Sequence, residues 1–122
     1  MSNREVVVLS GVRSPIADFG GALKDVPPTE VAGKVIAEAV ARSGLDAEDI
    51  GHVVVGNVTH SDRRDMYMCR AAAINAGLSI ETPALSVNRL CGSGLQAVIS
   101  AAQMILLDVL MRIPLHRARP SA

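Results

Sequence analysis

The 122-residue sequence contains no tryptophan, one tyrosine and one phenylalanine. A core without aromatic bulk has to be filled by Val, Ile, Leu and Ala. Such side chains let helices lie close on a sheet and suit a layered α/β protein. Net charge is also missing, since 12 basic residues meet 12 acidic ones. That removes the electrostatic footprint of a dedicated nucleic-acid binder. No apolar run approaches the ~20 residues that span a bilayer, so no membrane partner is expected. The first residues lack the apolar stretch and cleavage site of a secretory signal. Two cysteines cannot build a disulfide framework, and a reducing cytoplasm is the expected compartment. Apolar residues are abundant: 49% are hydrophobic against 20% charged, the balance of a folded chain rather than a disordered one. The length allows one domain.

Hydrophobic patterning divides the chain. Glu5 to Ser10 is a β-branched run closed by Gly11 and reads as a strand buried on both faces. Gly11 to Pro28, with Gly20-Gly21 and Pro27-Pro28, reads as a long loop. Thr29 is a fair N-cap with Glu30 behind it. Val31, Val35, Ile36, Ala39 and Val40 then share one helical face, and Gly44 stands at the C′ position. His52 to Val58 reads as a second strand, Thr59 to Asp65 as a charged loop, and Met66 to Ala76 as an Ala-rich helix stopped by Gly77. Pro83 to Asn88 reads as a third strand. Leu95, Val98, Ile99, Ala102, Ile105 and Leu106 follow at helical spacing. The order β-α-β-α-β-α predicts an α/β fold with parallel strands and right-handed crossovers. From Asp108 to Ala122 the character changes to three arginines, Pro114 and no acid beyond Asp108. Residues 108–122 therefore read as a divergent tail, either a frayed polar end or residues never selected for this fold.

Cys91 carries the most informative chemistry, within Asn88-Arg89-Leu90-Cys91-Gly92-Ser93-Gly94. At a strand-to-helix junction, backbone N–H groups and the helix dipole favour an anionic sulfur. Gly92 and Gly94 allow close approach of backbone and substrate. A nucleophile at the carboxyl edge of a parallel sheet recurs in α/β enzymes; the bland alternative is an inert packed thiol. Gly92-Ser93-Gly94-Leu95-Gln96-Ala97 also fits the G-x-G-x-x-A turn of a dinucleotide-binding half-domain. The acid expected about 20 residues onward is offered only by Asp108. Cys69, inside the Ala-rich helix, reads as a core thiol. His52, His60 and Asp62 make no zinc spacing, so no metal is expected, and Arg63-Arg64 reads as a solvated pair. Met66 and Met68 flank Tyr67 at a helix start. Packing is the plain reading of both, and a pliable wall for an acyl chain is the functional one.

The decapeptide Asn88 to Ala97 resembles the nucleophile motif of thiolases. Gly11-Val12-Arg13-Ser14-Pro15-Ile16 with Phe19-Gly20-Gly21 resembles the family's opening, with Ser14 where threonine is more usual. Gly56-Asn57-Val58 and Arg70-Ala71-Ala72 through Ala76-Gly77 resemble its second strand and following helix. The resemblance runs from Glu5 to Leu107, making residues 1–107 part of an amino-terminal thiolase-fold domain. Arg64-Asp65-Met66-Tyr67 leans it toward bacterial β-ketothiolases accepting chains longer than acetoacetyl. The flanking pattern favours thiolases over ketoacyl-synthase-type condensing enzymes.

The resemblance implies a fold of two similar halves in five αβαβα layers, a dimer or tetramer, and a ping-pong acyl transfer. Cys91 would attack a 3-ketoacyl-CoA, keep the acyl group on sulfur and pass it to CoA, or run the Claisen condensation in reverse. The Cys91 N–H would supply one oxyanion donor. Gly92, Ser93 and Gly94 would contact substrate, and Met66 and Met68 would wall the acyl pocket. CoA and acyl-CoA are then substrates, and no cofactor is implied. The family's Gly-His-Pro histidine and Cys-x-Gly cysteine have no counterpart here, since His116 and Cys69 have the wrong neighbours. A truncated or frameshifted fragment, inactive alone or pairing with a full-length subunit, is therefore expected.

Overall fold

The structure, a computed structural model, describes residues 4–107. The divergent tail assigned to 108–122 lies outside them. The described elements are α1 (Pro28–Ser43), β1 (Val53–Gly56), α2 (Met68–Asn75), β2 (Ala84–Val87) and α3 (Ser93–Leu106), with single 3-10 turns at Ala47–Asp49 and Arg63–Tyr67. β1 and β2 pair in parallel, from Val53 opposite Ala84 to Gly56 opposite Val87. The second and third expected strands are thus present and parallel, with α2 crossing between them.

The first expected strand does not form. Residues 4–18 carry no regular secondary structure, and Val8 is 85% exposed. A strand exists only where a neighbour completes its hydrogen-bond ladder, and the sheet among the described residues holds β1 and β2 alone. The segment instead lies along α1, where the Ser10 hydroxyl donates to the Ala39 carbonyl at 2.7 Å. Hydrophobicity in residues 5–10 signalled a buried run, and the observed order is α-β-α-β-α.

Helix α1 begins two residues earlier than expected. Pro27 holds the cap position and Pro28 takes the first helical position, where a missing N–H costs nothing and the fixed φ is already helical. Thr29 is therefore not the N-cap; it is buried inside the first turn. Gly44 ends the helix at φ 79° as anticipated. At the end of α2, Gly77 takes φ 80°, the Gly77 N–H bonds Ile74 O at 3.0 Å and the Leu78 N–H bonds Ala73 O at 3.1 Å. That double closure turns Leu78 into the core.

Val53, Ala73 and Leu78 form the core cluster, packed by Ile36, Val40, Ile50 and Val55. Helices α1 and α2 touch through Gly33, where an added Cβ would lie 3.0 Å from Asn75 Cβ and 3.4 Å from Ala72 O. A branched side chain there has to push the helices apart. Gly33→Leu is expected to lower the unfolding free energy by about 1–3 kcal/mol, the usual cost of overpacking, measured by urea denaturation followed by circular dichroism.

Candidate functional site

β1 and β2 end on the same edge of the sheet because they run parallel. Two loops leave that edge, one from Asn57 to Asp62 and one from Asn88 to Gly92. They are tied together by the Asn57 N–H to Val87 O at 3.0 Å and by Asn88 Nδ2 to Val58 O at 3.4 Å. Cys91 lies in the second loop and is exposed, whereas Cys69 is fully buried. The Ser86 hydroxyl donates to Cys69 Sγ at 3.0 Å, which bears out the core-thiol reading.

The turn that presents Cys91 is closed by local bonds. The Leu90 N–H meets Asn88 Oδ1 at 3.0 Å and the Gly92 N–H meets Arg89 O at 3.0 Å. The Ser93 hydroxyl accepts the Arg89 N–H at 2.8 Å and donates to Leu90 O at 2.7 Å. None of these bonds, among the described residues, takes up the Cys91 N–H. Leu90 holds φ 47°, a left-handed conformation uncommon for any residue but glycine. Neither Gly92 nor Gly94 is the left-handed residue: Gly92 has φ −88° and Gly94 is already in α3. The space above Gly92 is taken by the Arg89 guanidinium, with Nη1 2.6 Å from where a Cβ would sit. Gly92 is thus covered while the space at Gly94 is open, so the first glycine of the G-x-G pattern does not offer the close backbone approach a dinucleotide turn uses.

The other nominated residues separate. Ser93 is 4% exposed and uses its hydroxyl within the loop, so it does not reach out to a substrate. Met68 is 6% exposed and packed inside, whereas Met66 is 71% exposed; the two do not share one wall. No group of three or more potential metal ligands occurs among the described residues. No described helix is long and apolar enough to cross a membrane. Arg64 pairs with Asp62 at 3.0 Å on the surface, worth little in solvent.

Asp65, in the segment whose charge predicts an open loop, is instead 1% exposed. Its Oδ2 accepts the Ser61 N–H at 2.8 Å, the Ser61 hydroxyl at 2.8 Å and the Asp62 N–H at 2.9 Å. Oδ1 is buried with no hydrogen-bond partner among the described residues. The Asp65 carbonyl accepts Asn57 Nδ2 at 3.3 Å, which links this turn to the end of β1. The signal was present as Asp62-x-x-Asp65, the spacing of a capping box, and the box forms.

A family model described as "Thiolase, N-terminal domain" matches residues 6–110. The chain is 61% identical over 104 residues to the beta-ketothiolase BktB of Cupriavidus necator, covering 85% of this chain and 26% of that protein. It is 38% identical over 102 residues to the mitochondrial 3-ketoacyl-CoA thiolase of Bos taurus, covering 84% and 26%. It superposes on the acetyl-CoA acetyltransferase of Bacillus anthracis with a TM-score of 0.80 at 40% identity, covering 84% of this chain and 26% of the other. On the human mitochondrial 3-ketoacyl-CoA thiolase in complex with CoA the TM-score is 0.77 at 34% identity, covering 80% and 25%. The chain spans about a quarter of the length of these relatives.

Burial by itself would raise the Asp65 carboxyl. The hydrogen bonds from Ser61 and Asp62 outweigh it and hold the group below its ordinary 3.8, against the nearby Asp62 charge. A lowered native value means the unfolded chain binds the proton first as acid is added. Stability from Asp65 is therefore complete above the ordinary carboxyl range and is lost as pH falls through the lower native value. Asp65→Ala, which orphans three donors, is expected to cost about 1–3 kcal/mol at pH 7. Asp65→Asn keeps an acceptor at the Oδ2 position and should cost less, while flattening the acid limb. Urea melts from pH 7 down to pH 3 check both.

Proposed function

Because the chain belongs to the thiolase family through its amino-terminal domain, we propose that it supplies the nucleophile side of an acyl-CoA acyltransferase site, with Cys91 as the residue that becomes acylated. The observation carrying this is the exposure of Cys91 on the turn between β2 and α3 while the other thiol is buried. In the thiolytic direction the Cys91 sulfur attacks the keto carbon of a 3-ketoacyl-CoA. The bond between that carbon and the α-carbon breaks, the released α-carbon takes a proton to give acetyl-CoA, and the acyl group stays on sulfur. The CoA thiol then attacks the thioester and frees Cys91. Claisen condensation is the same path in reverse.

The Cys91 N–H, free of the loop's own bonds, is the donor this chain offers to the oxyanion. CoA and acyl-CoA are substrates in this reading, no metal or redox cofactor takes part, and the working enzyme is a cytoplasmic homo-oligomer in fatty acid metabolism. Its two unpaired thiols fit a reducing compartment. Met66, exposed and next in sequence to Asp65, whose carbonyl bonds Asn57 at the end of β1, is the methionine left to meet an acyl chain. Gly94, with open space where a Cβ would sit, gives a substrate close access, whereas the Arg89 guanidinium covers Gly92.

The 122 residues contain no Gly-His-Pro and no Cys-x-Gly segment, so the chain alone is expected to show no thiolysis of acetoacetyl-CoA above background. The decisive test is a chimera in which residues 1–107 replace the matching part of the Cupriavidus necator relative. Thiolysis is expected, and Cys91→Ala in the chimera is expected to remove it by several orders of magnitude. A folded chimera without activity, or one indifferent to Cys91→Ala, would overturn the proposal. Large exposed side chains such as Phe19, Ile16 and Val8 favour a second reading, a chain that docks on a thiolase subunit without catalysing. Failure to co-purify with that tagged relative counts against it.

A further inference from the structure

We infer that Ser93 is a positioning residue: its hydroxyl fixes the Leu90–Cys91 peptide plane and thereby aims the Cys91 N–H as an oxyanion donor. This rests on Cys91 being the nucleophile. The Leu90 carbonyl accepts two bonds from Ser93, one from the hydroxyl at 2.7 Å and one from the N–H at 3.0 Å. In a planar trans peptide the C=O and the N–H point to opposite sides. Holding Leu90 O against the start of α3 turns the Cys91 N–H away from the helix, toward the open side of the loop.

The same hydroxyl accepts the Arg89 N–H at 2.8 Å, so a single buried oxygen ties both ends of the Arg89-Leu90 segment. That tie holds Leu90 at φ 47°, which the free chain disfavours. Ser93 cannot retreat, because Gly56 lies directly behind it and even a Cβ there would be 2.6 Å from the Ser93 carbonyl carbon. Two donors on one carbonyl also polarise that amide, which strengthens its N–H as a donor.

Two reactions of Cys91 in the 122-residue chain separate aim from access. Acylation by p-nitrophenyl acetate forms the S–C bond through a tetrahedral oxyanion before p-nitrophenolate leaves. Alkylation by iodoacetamide displaces iodide and develops no oxyanion. Both are followed with Cys91→Ser as background, and alkylation is mapped by peptide mass spectrometry. Ser93→Ala is expected to slow acylation about tenfold or more, short of the 10²–10³ for full loss of a donor, with alkylation within about twofold. Ser93→Thr, which keeps the hydroxyl, should restore acylation to within about threefold of the native rate.

Equal slowing of both reactions, or slowing of neither, overturns the inference. Alkylation of buried Cys69 reports loss of fold. If Ser93→Ala unfolds, Ser93→Thr decides: a native acylation-to-alkylation ratio supports the inference, and a tenfold fall in that ratio overturns it. Neither reaction requires thiolase activity, so this outcome is independent of the chimera.

Discussion

The contact between the end of β1 and the first residue of α3 is the constraint on which the site depends. At Gly56 a Cβ would stand 2.6 Å from the Ser93 carbonyl carbon and 2.9 Å from Ser93 Cβ, separations that no side chain can occupy. Glycine at that position lets α3 start directly against the carboxyl end of the sheet. The chain leaving β2 at Val87 must then reverse within Asn88–Gly92. A turn that short has no interior for Cys91, and the thiol is presented outward. The parallel register places the loop after β1 on the same edge, and Asn57 and Asn88 fasten the two loops together. The exposed cysteine is thus a consequence of backbone packing on the neighbouring strand.

Elements with a self-sufficient local pattern were legible in the sequence. The Val53–Gly56 and Ala84–Val87 strands, the Ala-rich α2, the apolar stripe of α3 and the stop glycines Gly44 and Gly77 all appear where spacing placed them. Cys91 stood out because its motif sits at a junction that chemistry makes meaningful. What was not legible depended on partners distant in sequence. Residues 5–10 carry a strand's composition, but a ladder needs a neighbour, which a single segment cannot announce. Met66 and Met68 look equivalent in sequence, and only the change from a 3-10 turn to α2 between them sends one outward and one inward. Asp65 passed for surface charge because the donors that bury it are mostly backbone N–H groups. Leu90 gave no signal: a left-handed leucine is imposed by the bonds around it, not by its own preference.

Among the described residues the packed region is small, and many large apolar side chains, such as Val8, Ile16, Ile80 and Leu95, lie outside it. Its buried apolar members are Val53, Met68, Cys69, Ala72, Ala73, Leu78 and Ala97. Three of these are alanines, which bring little area to be removed from water. Phe19, the one phenylalanine of the chain, is wholly exposed. Small residues do allow α1 and α2 to approach to glycine distance at Gly33. Order in the loops is carried to a large degree by buried polar atoms with full sets of partners, such as Asp65 Oδ2 and Ser93 Oγ. Such groups specify one arrangement because any other leaves them unpaired.

An acyl-transfer site has to hold charge on an oxyanion and also move protons to and from the nucleophile and substrate. Under the proposed function these demands have different structural origins in this chain. Charge would be met by main-chain geometry: a sulfur and its own N–H on one turn, shaped by residues 88–93 and backed by Gly56. Proton transfer needs a titratable side chain within hydrogen-bond reach, and no such group bonds Cys91 among the described residues. Of the described histidines, His52 enters β1 at its amino end, with Nδ1 3.0 Å from Val53 O, on the edge opposite Cys91. His60 lies on the correct edge but is exposed. The proposed nucleophile and oxyanion donor are therefore encoded within a few consecutive residues, whereas in that reading a base has to be brought to them by contacts distant in sequence. That asymmetry makes the two functions separable, and it predicts that a thiol can be presented and aimed here independently of whether the proton relay is in place.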